Sequence, residues 1–208
     1  MDLKLIYGNM RALCEAPQMM LHYADIPYEY KMVWDHYGSS WAEVKKDIIF
    51  NRLPILIINK DKYLWQSNTI IRYLSNLTKT KPSDEFQLAY CDAVFESTHE
   101  MFSPLNPTIN MTFGEKYNAN KKKLLEDILP NSLNNFEKLL QNSSGNFFIG
   151  NDPFYCDFNA YHHFSMCLIL DKNIFSNFPN LKKFINNFEK LNNIKNYLDG
   201  RPELVELG

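Results

Sequence analysis

Polar and apolar positions alternate along residues 2 to 7, DLKLIY, which is the period of a half-buried strand. Apolar residues then recur at Leu13, Ala16, Met20, Leu21 and Ala24, a helical stripe in which Pro17 is tolerable only within the first turn. A second strand is predicted over 28 to 33 (YEYKMV) and a short helix around Ser40 to Asp47. Strands at 55 to 58 and 62 to 65 flank the turn Asn59-Lys60-Asp61, and a helix runs from Ser67 to about Leu77. The order is β-α-β-α-β-β-α. Its first half is a parallel βαβ unit and its second a hairpin plus a helix, together one mixed sheet with helices on both faces.

Residues 78 to 84 (TKTKPSD) are polar, contain a proline and offer nothing to bury, so they read as a linker. Beyond them the pattern is helical only, with helices near 85 to 110, 121 to 141, 155 to 170, 179 to 190 and 192 to 198, the last ended by Gly200 and Pro202. The fold class expected is therefore α/β plus all-α. The domains are residues 1–77, a linker over 78–84, and an all-helical domain over 85–208.

Composition narrows the function. With 208 residues and 45% hydrophobic content the chain can build proper cores. A net charge of -2 gives no basic field for a phosphate backbone, and Lys121-Lys122-Lys123 reads as a solvated helix face, so nucleic acid is not an expected partner. No apolar run approaches the roughly 20 residues a membrane span needs, and the opening MDLKLIYGNM lacks the apolar core of a secretory signal. No membrane partner and a cytoplasmic location are expected. Cys14, Cys91, Cys156 and Cys167 lack a CxxC pair and sit among apolar neighbours, so they read as buried reduced thiols rather than metal ligands. No metal site is expected.

Pro54 raises a sharper question, because it heads the aliphatic run ILII. Proline cannot donate to a sheet ladder and is confined to strand edges, first residues or bulges. It either begins an edge strand in the trans form or sits at a cis bond, an uncommon and usually conserved feature.

Four stretches now point one way: LIYGNMRALCE, WAEVK, RLPILII with WQSNTIIRYL, and FFIGNDPFYCDFNAY followed by NFPNLKKFI. They resemble the soluble glutathione transferases, above all the branches that use a tyrosine (mu, pi, sigma and alpha), and they span nearly the whole chain. The resemblance implies a thioredoxin-like first domain, a helical-bundle second domain, and glutathione as co-substrate. It implies that Pro54 is cis and that Leu53 offers its backbone N–H and C=O to the cysteinyl part of glutathione like one more strand.

Glutathione carries two carboxylates, an ammonium and a thiol, and the resemblance distributes them. Gln66 and Ser67 stand where a strand gives way to a helix, and a hydroxyl with free backbone N–H groups there suits the γ-glutamyl carboxylate; Ser67 as N-cap fits the same geometry. Trp41 and Lys45 are four apart on one helical face and are assigned to the glycine carboxylate. Leu13 and Arg52 complete the expected contacts. Glu100 falls where the resembling branches place an aspartate that reaches the partner's ligand across a two-fold axis, which implies a homodimer; as an isolated residue it also reads as an exposed helix carboxylate.

Tyr7, at the carboxyl end of the first strand, matches the family's catalytic tyrosine. A free thiol has a pKa of about 8.5, and lowering it by ~2 units takes roughly 2.7 kcal/mol. One hydrogen bond to an anion supplies about 1.5 to 3 kcal/mol. A neutral phenol donating to sulfur is therefore enough. Gly8, Met10, Met101, Pro104, Leu105 and Met111 are candidates to line the electrophile pocket, and each also reads as plain packing.

The chain departs from the family pattern at several points. Gly8 replaces a bulky residue and opens the pocket, Ala12 replaces a glycine, and Leu13 stands where sigma and pi branches carry a ligand-binding arginine. Arg11 is expected to tie the strand–helix turn to the second domain. Phe154 replaces the Ser or Thr helix cap, leaving Asp157 to cap the backbone alone. The function implied is conjugation of the glutathione thiolate to small apolar electrophiles in detoxification, with peroxide reduction as a second activity. The alternatives are a non-catalytic carrier or crystallin-like protein, or a glutathione-dependent isomerase, on the same fold.

Overall fold

The computed structural model describes residues 1–201. Residues 202–208, the end of the expected helical domain, and Pro202 with them, lie outside the described residues.

Strands β1 (Leu3–Tyr7), β2 (Glu29–Met32), β3 (Ile55–Ile58) and β4 (Lys62–Trp65) form one sheet in the order β2-β1-β3-β4. β1 runs parallel to β2 and antiparallel to β3, and β3–β4 is a hairpin. Side-chain alternation divides β1 between two cores. Leu3, Leu5 and Tyr7 join Leu56 and Ile58 against Met20, Ile70 and Leu74, which lie on helices α1 (Glu15–Tyr23) and α4 (Ser67–Leu77). Ile6 points the other way, with Ile55 and Ile57, toward Val33, Ile48 and Trp41. All four residues of β3 are buried, as an internal strand covered on both faces must be. Pro17 is the third residue of α1, within its first turn.

The connection from β2 to β3 is more broken than its sequence suggests. Residue 33, expected in the strand, instead begins helix α2 (Val33–Tyr37), which Gly38 closes at φ +69°. Only Val33 of that helix is buried, so it leaves no periodic apolar signature. The helix expected over 40 to 47 is α3 (Trp41–Val44) followed by a single 3-10 turn, Lys45–Asp47. Ser40 starts it: its N–H and hydroxyl donate to Glu43 Oε2 at 2.9 and 2.8 Å.

The rest is helical: α5 (Glu85–Met111), α6 (Gly114–Lys123), α7 (Leu129–Asn142), α8 (Tyr155–Leu170), α9 (Pro179–Glu189) and α10 (Ile194–Gly200). α6 begins at Gly114, ahead of the expected 121, because GEKYNANKKK buries no residue and so shows no stripe. A π turn, Leu124–Ile128, joins α6 to α7 just before Pro130. Proline supplies no N–H to the preceding turn, and the wider turn absorbs that missing bond. Gly200 is the last residue of α10, whereas the expected helix spans 192 to 198.

α8 is the axis of this half, buried around most of its circumference against α5 and α1. At its start the Asp157 carboxylate accepts from the N–H of Phe148 (3.1 Å) and of Phe154 (2.8 Å). Phe154 has no side-chain acceptor to return the favour, so only the aspartate half of the capping box exists, as expected from the sequence. Burial pushes the Asp157 carboxyl up to about 7 against the pull of those donors.

The segment read as a linker does bury residues, contrary to expectation. Thr80 is fully buried, its hydroxyl lies 2.8 Å from that of Thr78, and its carbonyl accepts the Tyr155 N–H at 2.9 Å. Threonine's methyl and hydroxyl satisfy apolar and polar surroundings together, which a polarity pattern overlooks. A second tie crosses nearby: Arg72 of α4 pairs with Asp92 at 2.9 Å and with Glu96, and Tyr155 donates to the same Asp92 at 2.6 Å.

Candidate functional site

Sheet register assembles the site. Ile6 of β1 faces Ile55 of β3, and Ile55 faces Trp65 of β4. One step further along each strand, Tyr7, Pro54 and Gln66 therefore stand side by side at one end of the sheet. Residues far apart in sequence meet there because β1 ends, β3 begins and β4 ends at the same edge.

The Leu53–Pro54 bond is cis, as the resemblance implies, and Pro54 directly precedes β3. At the next strand end Gln66 adopts φ 69° and ψ 118°, a conformation that costs a non-glycine residue about 1 to 3 kcal/mol and that clusters at functional sites. That sharp bend starts α4 at Ser67 itself, so the N-cap is Gln66 and not Ser67. Ser67 is the first helical residue, 7% exposed, with its Oγ 3.4 Å from Asn68 Oδ1. Its hydroxyl and the unpaired N–H groups of the first turn make a donor set suited to a carboxylate.

Tyr7 is 6% exposed, and its hydroxyl accepts a hydrogen bond from the Leu13 N–H at 3.3 Å. Burial, with the nearby Cys14 adding to it, holds the phenol well above its ordinary pKa of 10, so it is a proton-bearing group at neutral pH. Because the backbone N–H occupies one lone pair of the oxygen, the phenol's own proton is free to point outward. The turn from Gly8 to Cys14 that carries Leu13 is tied to the second half of the chain: Arg11 lies close enough to His162 of α8 to lower its pKa, and Arg201 pairs with the buried Glu15 at 2.6 Å. Ala12 avoids positive φ, as its replacement of glycine requires. The Gly8 carbonyl accepts from the Tyr30 hydroxyl at 2.8 Å, and a Cβ at Gly8 would meet nothing within 4 Å.

The remaining candidates divide by location. Trp41 opens α3 and packs under the sheet, and Lys45 follows one turn later, its N–H bonded to the Trp41 carbonyl. Arg52 is exposed and Leu53 half-buried beside Pro54. Glu100 is exposed on α5. Met10 and Pro104 are half-buried and Met111 exposed, whereas Met101 and Leu105 are buried in the main core. The Leu13 backbone donor and the Tyr30 hydroxyl were not among the expected site groups. The four cysteines are buried and unpaired, and burial pushes the Cys14 thiol well above its ordinary value. No helix among the described residues is long and apolar enough to cross a membrane.

Against known proteins, the family model described as glutathione S-transferase, N-terminal domain matches residues 1–76, and that described as glutathione S-transferase, C-terminal domain matches residues 99–201. Glutathione S-transferase P of Caenorhabditis elegans is 29% identical over 98% of this chain and 95% of its own. A glutathione S-transferase of Plasmodium yoelii yoelii is 32% identical over 81% of this chain and 79% of its own. Among solved structures, the pi-class glutathione S-transferase of Onchocerca volvulus superposes with a TM-score of 0.84 at 26% identity, covering 97% of this chain and 94% of that one.

Proposed function

The chain belongs to the glutathione S-transferase family, and on that premise we propose that Tyr7, Pro54, Gln66 and Ser67 bind glutathione and hold its sulfur as a thiolate for attack on apolar electrophiles. The observation that carries the assignment is the register that lines up Tyr7, Pro54 and Gln66 at one sheet edge, with the Tyr7 hydroxyl already accepting from Leu13.

The residues divide the work. The α4 N-terminus and Ser67 take the γ-glutamyl carboxylate, the Leu53 backbone pairs with the cysteinyl unit, and Trp41, Lys45 and Arg52 face the glycine carboxylate. The Tyr7 O–H donates to sulfur, which releases its proton to solvent. With an aryl halide the thiolate forms a carbon–sulfur bond, and the carbon–halogen bond breaks with loss of halide. Leu13 offers no cation, so the phenol supplies most of the stabilisation: a shift of about 2 units, or roughly 2.7 kcal/mol, is within reach of one charge-assisted hydrogen bond. The relatives compared are named as transferases, which favours catalysis over the carrier reading.

The active unit is a homodimer in this reading. Ile49 (52% exposed), Phe50 (60%) and Tyr63 (43%) are exposed apolar side chains, Phe50 and Tyr63 both packed on Trp65, and a second copy would cover them. Exposed Glu100 is then free to meet the partner's ligand. Four buried thiols suit the reducing cytoplasm.

The test is the conjugation rate of Tyr7→Phe with an aryl halide. A fall of about tenfold or more with glutathione still bound supports the assignment. An unchanged rate removes Tyr7 from the mechanism.

A further inference from the structure

Resting on that transferase reading, we infer that Tyr30 is a positioning residue for the thiolate site: by gripping the Gly8 carbonyl it sets the turn that delivers the Leu13 N–H to Tyr7.

Tyr30 lies on β2, paired with Leu5 of β1, and its side chain crosses to the turn that follows β1, where its hydroxyl donates to the Gly8 carbonyl at 2.8 Å. Gly8 has no side chain with which to anchor itself, and open space surrounds the place where a Cβ would stand. At this end of the turn the tether is therefore a hydrogen bond to a backbone oxygen rather than packing. At the other end the Ala12 carbonyl accepts the Glu15 N–H at 3.1 Å, and Arg201 fixes Glu15. Leu13 lies within this second turn, and its N–H meets the Tyr7 oxygen at 3.3 Å, already long for such a bond. A turn released at Gly8 lets that donor drift. Once it drifts, the Tyr7 hydroxyl is no longer restricted in where it aims its proton. Burial keeps the Tyr30 phenol protonated and hence a permanent donor.

Tyr28 provides an internal control. It lies two residues earlier, is partly buried like Tyr30, and spends its hydroxyl on Gln18 of α1 at 3.2 Å rather than on the Gly8 carbonyl.

The experiment measures thiolate absorbance of glutathione bound to the full chain as a function of pH, together with kcat/KM for an aryl halide and the thermal midpoint. Tyr30→Phe is expected to raise the apparent thiol pKa by about half a unit or more and to lower kcat/KM about three- to tenfold, with glutathione affinity within about twofold. Tyr28→Phe loses a comparable hydrogen bond and should leave the thiol pKa in place. Adding Gly8→Ala to Tyr30→Phe stiffens the freed backbone and should recover part of the pKa shift. Equal thiol pKa values for the parent and Tyr30→Phe overturn the inference while leaving the transferase reading intact, as does an equal shift in Tyr28→Phe. A parent chain that forms no thiolate at all overturns both.

Discussion

The hydroxyl of Tyr7 accepts the backbone N–H of Leu13 at 3.3 Å, so the phenol proposed to meet the thiol is itself held by main chain rather than by a cationic side chain. If sulfur ionisation depends on that phenol, the pH–rate profile must move when it is removed. For Tyr7→Phe the acidic limb of kcat/KM should rise by about 2 units toward the ordinary thiol value near 8.5. A profile that falls in rate without moving in pH would assign Tyr7 to substrate orientation instead.

A variant at Ser67 tests the proposed division between binding and chemistry. Ser67→Ala removes a hydroxyl at the α4 N-terminus but leaves the sulfur's environment alone, so KM for glutathione should rise about tenfold while kcat changes less than about threefold. Steady-state kinetics with glutathione varied read this directly. A drop confined to kcat would contradict the assignment.

His162 and His163 of α8 are buried. Burial first, then the Arg201 and Arg11 charges, bring His162 down to about 3; burial, then His162 and His99, hold His163 well below its usual 6.5. Both stay neutral in the folded chain and titrate near 6.5 when unfolded. The stability they confer is therefore present above pH 6.5 and lost as pH falls below it. Asp157 has the opposite sign: raised to about 7, it takes up its proton in the folded state first and offsets one of the two. These three groups leave one net proton, so their contribution to stability should fall as pH drops below about 6, at a rate on the order of 1.4 kcal/mol per pH unit. Urea unfolding across that range measures the slope, and His163→Phe should flatten it.

Gly145 tests backbone packing. A Cβ there would stand 2.1 Å from the carbonyl carbon and oxygen of Gly150, where the Phe147 N–H reaches the Gly150 carbonyl at 3.0 Å. Backbone cannot yield as a side-chain tip can, so Gly145→Ala should cost about 2 to 3 kcal/mol. For a chain of this size that is a drop in Tm of roughly 5 to 10 °C, readable by calorimetry.

How far the sequence leads can be seen element by element. Four aliphatics between Pro54 and Asn59-Lys60-Asp61 leave little choice for β3, and the stripe of α4 marks both of its ends. α2 and α6 are illegible for one reason, that they bury one residue and none respectively, and only burial writes a period into a sequence. The site follows the same logic. Tyr7 and Ser67 are visible through resemblance because the roles proposed for them belong to their side chains. The Leu13 donor is a main-chain atom with no residue signature, and Tyr30 looks like any aromatic favoured in a strand. That the N-cap position falls on Gln66 and not on Ser67 is illegible, since a glutamine at positive φ has no propensity to announce it.

The open space beside Gly8 has an evolutionary corollary. Its backbone lies outside the left-handed region and no neighbour crowds the missing β-carbon, so a mutation could install a small side chain such as alanine or serine there without remaking the chain around it. Should Gly8 border the space for the electrophile, as the resemblance implies, such a mutation would be an inexpensive evolutionary route to a different repertoire of compounds.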